Sequence, residues 1–194
     1  IDVIYRTLLR KWQAAGHSPK KCKELWNAYV PEHLLPRLYG YELLMAPYAI
    51  AHLKIGLKPT ETGYAFGTPA IARVFLTNAL EPASERKLAG LGLMALAQEA
   101  EAVSTVKRDE RFTVIVGNPP YSSVSQNMGS AIWEMVNQYL ILPTGPIKER
   151  SNRNHLQDDY VKFLRIAQGH VEASGIGLVG MITNSSYLSG AWYR

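Results

Sequence analysis

The chain has 194 residues, of which 47% are hydrophobic and 19% charged, the composition of an ordinary soluble globular protein with room for one core. No apolar run is long enough to cross a membrane, the first residues are not a signal peptide, and the single cysteine, Cys22, excludes an internal disulfide framework. A reducing cytoplasm is therefore the expected compartment. The formal charge of +5 is compatible with a polyanionic partner but does not identify one.

The residues at both ends indicate that the chain is a piece of a larger protein. The chain begins at Ile1 rather than at methionine and enters a helix at once, and it stops at Arg194 shortly after a predicted strand. We expect residues 1–194 to form one domain that is not complete at either end.

The chain opens with two predicted helices. Apolar residues recur at helical spacing over Asp2–Ala15, and Gly16 ends this helix. Ser18 and Pro19 are typical of an N-cap and a first helical position, so a second helix is expected through about Tyr29.

A strand–helix–strand unit is predicted next. Arg37–Leu43 is expected to be a short strand and Ala46–Leu57 a helix with one apolar face. Residues 58–70 are polar and punctuated by glycine and proline, as in a loop. Ala72–Thr77 is the second strand of the unit.

Two polar side chains stand at the ends of these strands. Glu42 lies where the first strand becomes a helix, and an acidic residue at that place in a nucleotide-binding unit accepts hydrogen bonds from ribose hydroxyls. The alternative for Glu42 is a solvated loop carboxylate. Asn78 follows the second strand, where its amide could contact the adenine of a cofactor or could cap a turn.

The most informative stretch follows a long helical segment, Ser84–Glu110. Phe112–Val116 is apolar and β-branched and predicts a buried strand, which ends at Gly117. The strand is followed by the tetrad Asn118-Pro119-Pro120-Tyr121. The tetrad is thereby expected at the carboxyl end of a strand, where ligands lie in open α/β sheets.

The two prolines stiffen the tetrad. Each fixes its own φ and holds the preceding residue extended. The side-chain oxygen of Asn118 and the main-chain carbonyl of Pro119 are therefore expected to present two acceptors on one side, and Tyr121 adds an aromatic face. Two acceptors and a stacking surface suit a planar group that bears an NH2. The alternative is a proline-rich turn without a function.

A small polar segment and a basic one follow the tetrad. Ser122–Gly129 has the composition of a mobile loop beside a site, and Ser130–Leu142 is a predicted helix. Residues 143–154 are irregular and basic. They form either a solvated loop or a surface that contacts nucleic-acid phosphates through Lys148, Arg150 and Arg153.

The last predicted helix opens at Asp158 and Asp159 and extends to about Ala173. We interpret the two aspartates as cap and first-turn residues, which suit the positive end of a helix, and not as an acid–base pair. Gly177–Thr183 is the last strand, and a polar loop at residues 184–187 follows at the same sheet edge as the tetrad. The five histidines show no metal-ligand spacing.

Strands that alternate with helices predict an open, largely parallel α/β sheet. In that setting the tetrad resembles that of the amino-methyltransferases that use S-adenosylmethionine, in particular the N6-adenine DNA methyltransferases. Residues 40–43 and 77–80 look like the ribose-binding and adenine-contacting segments of that family. Residues 158–163 and 180–185 look like segments that follow the tetrad in large bacterial restriction–modification proteins, where a methyltransferase is fused to nuclease or helicase-like parts.

The resemblance implies a Rossmann-like S-adenosylmethionine-dependent methyltransferase fold and a reaction. A methyl group would pass to N6 of an adenine flipped out of double-stranded DNA, within a restriction–modification system. Target recognition and any nuclease or helicase activity would belong to further domains of the same polypeptide. The tetrad residues Asn118, Pro119, Pro120 and Tyr121 would be catalytic. The cofactor would contact Glu42, Leu43, Asn78, Ala79 and Asn118.

One departure from the family pattern stands out. The Gly-rich loop that holds the methionine part of the cofactor is absent, and it would lie immediately before Ile1. The strand that feeds this loop lies at the centre of the family's sheet, and the last strands of that sheet would also be missing. We therefore expect an incomplete fold, with a gap in its sheet, that binds S-adenosylmethionine weakly or not at all.

Two other functions agree with the same residues. Methylation of a glutamine amide in a protein uses the same tetrad on another planar NH2. The long segment from Ser122 to Ser174, with its basic loop, favours a larger substrate such as DNA. A non-catalytic domain that binds DNA or joins a larger assembly is the alternative of another class.

Overall fold

A computed structural model of the chain describes residues 1–65, 73–83, 94–121, 125, 127–142, 145–146 and 156–189. These residues form a mixed α/β structure with helices and short parallel strands. The chain divides into two units, Ile1–Asn78 and Ala79–Arg194, and each has its own two-stranded parallel sheet. The single domain and the complete strand order implied by the resemblance stay predictions.

The first unit begins with the two predicted helices, α1 (Asp2–Ala14) and α2 (Pro19–Tyr29). Gly16 follows α1 with a φ of 81°, the left-handed conformation that ends many helices and favours glycine. Ser18 caps α2, because its hydroxyl accepts a hydrogen bond from the main-chain N–H of Lys21 at 3.3 Å. Both helix predictions are confirmed.

Trp26 lies at the centre of the core of the first unit. It is fully buried, and its indole N–H donates to the hydroxyl of Thr62 at 2.9 Å. Apolar residues from α1, from the segment after α2 and from the turn after α3 pack around it: Ile4, Leu8, Val30, Leu34, Leu35 and Tyr64. A π-helical turn (Val30–Leu34) and a 3-10 turn (Leu35–Arg37) lead from α2 into the first strand.

The predicted strand–helix–strand unit is confirmed. It consists of β1 (Tyr39–Glu42), α3 (Met45–Glu61) and β2 (Arg73–Leu76). The two strands are parallel, and their register ends with Glu42 opposite Leu76. Parallel neighbours need a crossover connection, which α3 provides.

The prediction of a polar loop over residues 58–70 is wrong at its start, because α3 continues to Glu61. Pro59 lies in the last turn of the helix and is buried. Its carbonyl accepts hydrogen bonds from the N–H groups of Thr62 at 3.1 Å and of Tyr64 at 2.9 Å. These bonds close the helix end, so the polar composition does not interrupt it there. The last part of the predicted loop lies outside the described residues.

The second unit contains further helices and strands. Its helices are α4 (Met94–Asp109), α5 (Ser130–Asn137), α6 (Asp159–Ser174) and α7 (Ser186–Ser189). Its strands are β3 (Val114–Gly117), β4 (Ile141–Leu142), β5 (Gly145–Pro146) and β6 (Leu178–Met181). The predicted helix over Ser84–Glu110 is thus confirmed from Met94 onward, and its earlier part lies outside the described residues. In the part of the chain that the structure describes, no helix is long and apolar enough to span a membrane.

Helices α5 and α6 form the core of the second unit. The buried residues that they and their neighbours contribute are Leu80, Ile132, Val136, Leu140, Leu156, Tyr160 and Val161. Strands β3 and β6 are parallel, with Val114 opposite Leu178 and Gly117 opposite Met181. The predicted last strand is therefore confirmed, and it pairs directly with the strand that leads to the tetrad.

The prediction that Phe112–Val116 is a buried strand is only half right. The strand forms, but Val114 and Val116 are 63% and 80% exposed. Leu178 lies opposite Val114 and is also exposed, so one face of the β3–β6 pair is uncovered. A β-branched apolar run favours a strand locally, whereas its burial needs a second layer packed against that face.

The helix predicted over Ser130–Leu142 ends early. Helix α5 stops at Asn137, a 3-10 turn covers Gln138–Leu140, and Ile141–Leu142 forms the short strand β4. β4 pairs with β5 in an antiparallel bridge. Pro143 accounts for the extended end of this stretch, because the residue before a proline, here Leu142, is driven into an extended conformation.

Gly177, between α6 and β6, lies close to the backbone of the neighbouring strand. A Cβ at this position would stand 2.9 Å from the carbonyl oxygen of Thr113 and 2.7 Å from the side chain of Val171. We expect Gly177→Ala to lower the free energy of unfolding by about 1–3 kcal/mol, the usual penalty of overpacking. Urea unfolding followed by circular dichroism measures the change.

Gly169 provides the matched control for that substitution. It lies within α6, and a Cβ there would meet nothing within 4 Å. Gly169→Ala should therefore raise the free energy of unfolding by about 0.5–1 kcal/mol, since alanine favours the helix. Equal effects of the two substitutions would contradict a steric role for Gly177.

The environment of His170 predicts that the stability of the fold depends on pH. Burial lowers the pKa of His170 below its ordinary value of 6.5, and the charge of Arg111 acts in the same direction. The ring packs against Phe112, with centroids 5.0 Å apart. The unfolded chain then binds a proton more readily than the folded one, so stability is lost as the pH falls below about 6.5.

We expect the free energy of unfolding to decrease between pH 7.5 and pH 5.5, and His170→Gln to reduce that decrease. Urea titrations of both proteins at the two pH values measure it. The same pH dependence in both would show that other groups cause it.

Candidate functional site

Strand β3 ends at Gly117, so the tetrad that follows it lies at the carboxyl end of the β3–β6 sheet. Asn118 and Tyr121 are exposed, with 55% of Tyr121 open to solvent, whereas Pro119 between them is buried. The buried proline anchors the segment in the fold. The amide and the aromatic ring of the tetrad are thereby presented at the surface, as a site for a ligand requires.

The hydroxyl of Tyr121 connects the tetrad to the chain beyond β6. It donates to the main-chain carbonyl of Ile182 at 3.1 Å and stands 3.4 Å from Oδ1 of Asn118. A hydroxyl has one proton, and the shorter contact has the better hydrogen-bond length. Within the residues that the structure describes, Oδ1 of Asn118 therefore retains its capacity to accept a hydrogen bond from a ligand.

Ile182 stabilises this arrangement through hydrogen bonds of both its main-chain N–H and its main-chain carbonyl. Its N–H donates to the carbonyl of Gly117 at 3.0 Å, which extends the pairing of β3 with β6 by one step. Its carbonyl accepts the proton of Tyr121. The segment after β6 therefore lies at the same sheet edge as the tetrad, as predicted, but the polar loop predicted over residues 184–187 is wrong from Ser186, where α7 begins.

A second group of predicted residues meets at one edge of the first unit. Because β1 and β2 are parallel, Glu42 and Asn78 follow neighbouring strand ends, and the N–H of Thr77 donates to the carbonyl of Glu42 at 2.8 Å. Oε1 of Glu42 accepts a hydrogen bond from the N–H of Leu44 at 2.9 Å. This bond orients the carboxylate, and none of the described residues donates to Oε2.

The other predicted cofactor residues are divided between the two units. Leu43 follows Glu42 and is exposed. Ala79 follows Asn78 and is the first residue of the second unit. The first unit thus brings together Glu42, Leu43 and Asn78, a carboxylate, an apolar surface and an amide.

A buried charged cluster lies on the first turn of α6. The ammonium group of Lys162 is fully buried and lies 3.4 Å from Oδ1 of Asp159. It also donates to the hydroxyl of Ser125 at 2.5 Å and to the carbonyl of Asn127 at 2.9 Å. Ser125 and Asn127 belong to the segment that follows the tetrad.

The sequence interpretation missed this cluster. Asp158 occupies the N-cap position of α6, but its side chain makes no capping hydrogen bond, and Asp159 pairs with Lys162 three residues later. The signal was a lysine in the middle of an apolar helical run, Tyr160-Val161-Lys162-Phe163-Leu164, directly after an aspartate. A charge within a core-facing stretch predicts a partner.

The predicted DNA-contacting residues Lys148, Arg150 and Arg153 lie outside the described residues, so their role stays a prediction. Among the described side chains, no group of His, Cys, Asp or Glu could hold a metal ion.

A comparison with models of protein families identifies the family of the chain. The sequence model described as Eco57I restriction-modification methylase matches residues 64–194, which include β2, the tetrad and all of the second unit. The chain belongs to the Eco57I restriction-modification methylase family. No curated protein and no solved structure matches the chain.

Membership of the Eco57I restriction-modification methylase family makes the protein a methyltransferase that acts on DNA. Methyltransferases of this type generally use S-adenosylmethionine as the methyl donor. Glu42 and Leu43 precede the matched residues, whereas Asn78, Ala79 and the tetrad lie within them.

Proposed function

We propose that the protein transfers the methyl group of S-adenosylmethionine to N6 of an adenine that has been flipped out of double-stranded DNA, within a restriction–modification system. The observation that carries the proposal is the geometry of the tetrad. Asn118 presents an acceptor at the end of β3, and Tyr121 is held beside it by the carbonyl of Ile182.

The chemistry needs acceptors rather than a strong base. The lone pair of the adenine N6 is delocalised into the ring, so the nitrogen is a poor nucleophile. Hydrogen bonds from its two N–H groups to Oδ1 of Asn118 and to the carbonyl of Pro119 would orient the lone pair and stabilise positive charge as it develops on the nitrogen. The nitrogen becomes acidic once it is methylated, so its proton is lost without a strongly shifted residue.

Tyr121 would contribute to the capture of the flipped base. Extrusion of a base from the duplex costs a few kcal/mol of stacking and pairing. Stacking on one aromatic side chain returns about 1–3 kcal/mol. The exposed ring of Tyr121 is suited to this because its hydroxyl is already bonded, which restrains the position of the ring before the base arrives.

The donor set at the edge of the first unit fits the nucleoside part of S-adenosylmethionine. The oriented carboxylate of Glu42 would accept hydrogen bonds from ribose hydroxyls, and Leu43 offers an exposed apolar surface beside it. Asn78 would contribute a further contact from the same edge of the first unit. The cofactor supplies an electrophilic methyl group when it is bound.

The substrate would be held by its phosphates as well as by the flipped base. Lys148, Arg150 and Arg153 are proposed to contact the DNA backbone, which would position the duplex without reading its sequence. Family membership favours DNA over a protein amide as the methyl acceptor.

The test is an assay of the natural full-length protein with S-adenosylmethionine labelled in its methyl group, offered DNA and a protein acceptor separately. We expect label in DNA, recovered as N6-methyladenine after digestion to nucleosides. Label in cytosine or in protein would overturn the proposed acceptor. No transfer to any acceptor would favour a non-catalytic domain.

A further inference from the structure

The segment between the tetrad and α5 is anchored by buried groups of α6. Ser125 lies four residues after Tyr121, and Asn127 lies three residues before the start of α5. The hydroxyl of Ser125 donates to Oδ1 of Asp159 at 2.5 Å, and the side-chain amide of Asn127 donates to the same oxygen at 3.2 Å. One carboxylate thus binds both residues.

The ammonium group of Lys162 also binds both Ser125 and Asn127. Its ammonium group has three donors, and the structure gives it three acceptors: the hydroxyl of Ser125, the carbonyl of Asn127 and the carboxylate of Asp159. A fully buried ammonium group is tolerated only when it is paired and hydrogen-bonded. Two of its three acceptors come from the segment after the tetrad, so that segment cannot move away without leaving the charge unsatisfied.

The contacts of Ser125 and Asn127 with Asp159 and Lys162 are defined by hydrogen-bond geometry as well as by charge. The N–H of Asn127 donates to the hydroxyl of Ser125 at 2.9 Å, so this one oxygen contacts Asn127, Asp159 and Lys162. The ammonium group of Lys162 lies 6.0 Å from the ring centroid of Trp133 on α5. Asp159 and Lys162 therefore hold Ser125 and Asn127 in place relative to both α5 and α6.

The other end of the segment is held independently. Tyr121 is bonded to Ile182, the residue after β6. Tyr121 is therefore held through the residue after β6, whereas Ser125 and Asn127 are held through the first turn of α6. A strand end and a helix start are rigid supports, and rigid supports are what a site needs to keep a substrate in a productive position.

We infer that Asp159 and Lys162 are positioning residues for methyl transfer. They act through Ser125 and Asn127 to fix the segment next to Tyr121, and thereby the place in which the target base is held. This inference rests on the proposed function, because it assumes that the tetrad receives the base.

The first experiment uses Ser125→Ala in the natural full-length protein. This substitution removes the hydroxyl on which the segment is anchored and leaves the buried pair of Asp159 and Lys162 in place. We expect kcat for methylation of DNA to fall roughly 10- to 100-fold, the loss that a small misplacement of reacting groups causes. The affinity for S-adenosylmethionine should stay close to that of the wild type, whereas the melting temperature should fall modestly, because Asp159 and Lys162 each lose one hydrogen-bond partner. Ser125→Thr keeps the hydroxyl and should restore most of the rate.

A second variant removes the charges together. Asp159→Asn with Lys162→Met leaves neither a buried charge nor a large cavity, and we expect it to lower kcat as Ser125→Ala does. The matched control is Glu24→Gln with Lys21→Met, which removes an exposed pair of the same helical spacing on α2 and should leave kcat unchanged.

The outcomes separate this inference from the proposed function. A wild-type protein that does not methylate adenine would refute the proposed function. A wild-type protein that does, together with a Ser125→Ala variant of unchanged kcat and KM, would overturn the positioning role alone. A loss of rate in Ser125→Ala that Ser125→Thr does not restore would also overturn it. If the charge-removing variant fails to fold, the two Ser125 variants decide.

Discussion

Replacement of Asn118 by alanine is expected to lower kcat for adenine methylation by about 100- to 1,000-fold, the loss that follows removal of one preorganised polar group from a reaction centre. In the structure, Oδ1 of Asn118 is exposed at the end of β3 and retains its capacity to accept a hydrogen bond, since Tyr121 donates preferentially to Ile182. Without that oxygen, one N–H of the target amine is unbound and the lone pair remains delocalised.

Single-turnover methyl incorporation into DNA, with the natural full-length protein and saturating S-adenosylmethionine, measures this effect. The matched control is Asn137→Ala, which changes an exposed asparagine at the end of α5 and should leave the rate unchanged. Wild-type turnover in Asn118→Ala would refute the role given to the amide. A changed affinity for DNA with unchanged kcat would assign Asn118 to binding instead.

Two substitutions of Tyr121 are expected to separate the effect of the ring from that of the hydroxyl. Tyr121→Ala removes the stacking surface, worth about 1–3 kcal/mol, which corresponds to roughly 5- to 150-fold in kcat/KM. Tyr121→Phe keeps the ring but removes the hydrogen bond to Ile182, a net contribution of about 0.5–1.5 kcal/mol, or roughly 2- to 12-fold. The alanine variant should therefore be the more impaired.

Measurement of kcat/KM for DNA in the two variants tests this order. A DNA substrate with a fluorescent adenine analogue at the target position adds a readout of base flipping that does not depend on methyl transfer. The fluorescence increase on binding should be retained by Tyr121→Phe and reduced in Tyr121→Ala. If both variants lose activity equally, the hydroxyl rather than the ring is the important group.

Local signals in the sequence were sufficient to predict most of the helices and strands. Gly16 and the Ser18-Pro19 pair mark the end of α1 and the start of α2, because left-handed backbone and N-capping depend on a few adjacent residues. The strands that precede Asn78 and Asn118 were predicted from short apolar runs. The parallel pairing of β1 with β2 follows from the helix that connects them.

The errors arose where neighbours in space decide the outcome. The run that forms β3 was expected to be buried, but the side chains of Val114 and Val116 lie on an uncovered face. The polar stretch after Leu57 was expected to be a loop, but the helix continues to Glu61, where Pro59 is buried and the indole of Trp26 on α2 donates to the adjacent Thr62. In both cases the residue composition was interpreted correctly and the packing partner was unknown.

The sequence by itself determined where the tetrad lies and how stiff its backbone is, since Asn118-Pro119-Pro120-Tyr121 follows a strand and contains two prolines that restrict their own φ and the residues before them. Only the tertiary structure decided what holds the tetrad in place. The partner of Tyr121 is Ile182, 61 residues away, and Ser125 meets Lys162 across 37 residues. The partners in such contacts depend on which strand and helix the chain topology brings beside the site, and a local pattern contains no information about that.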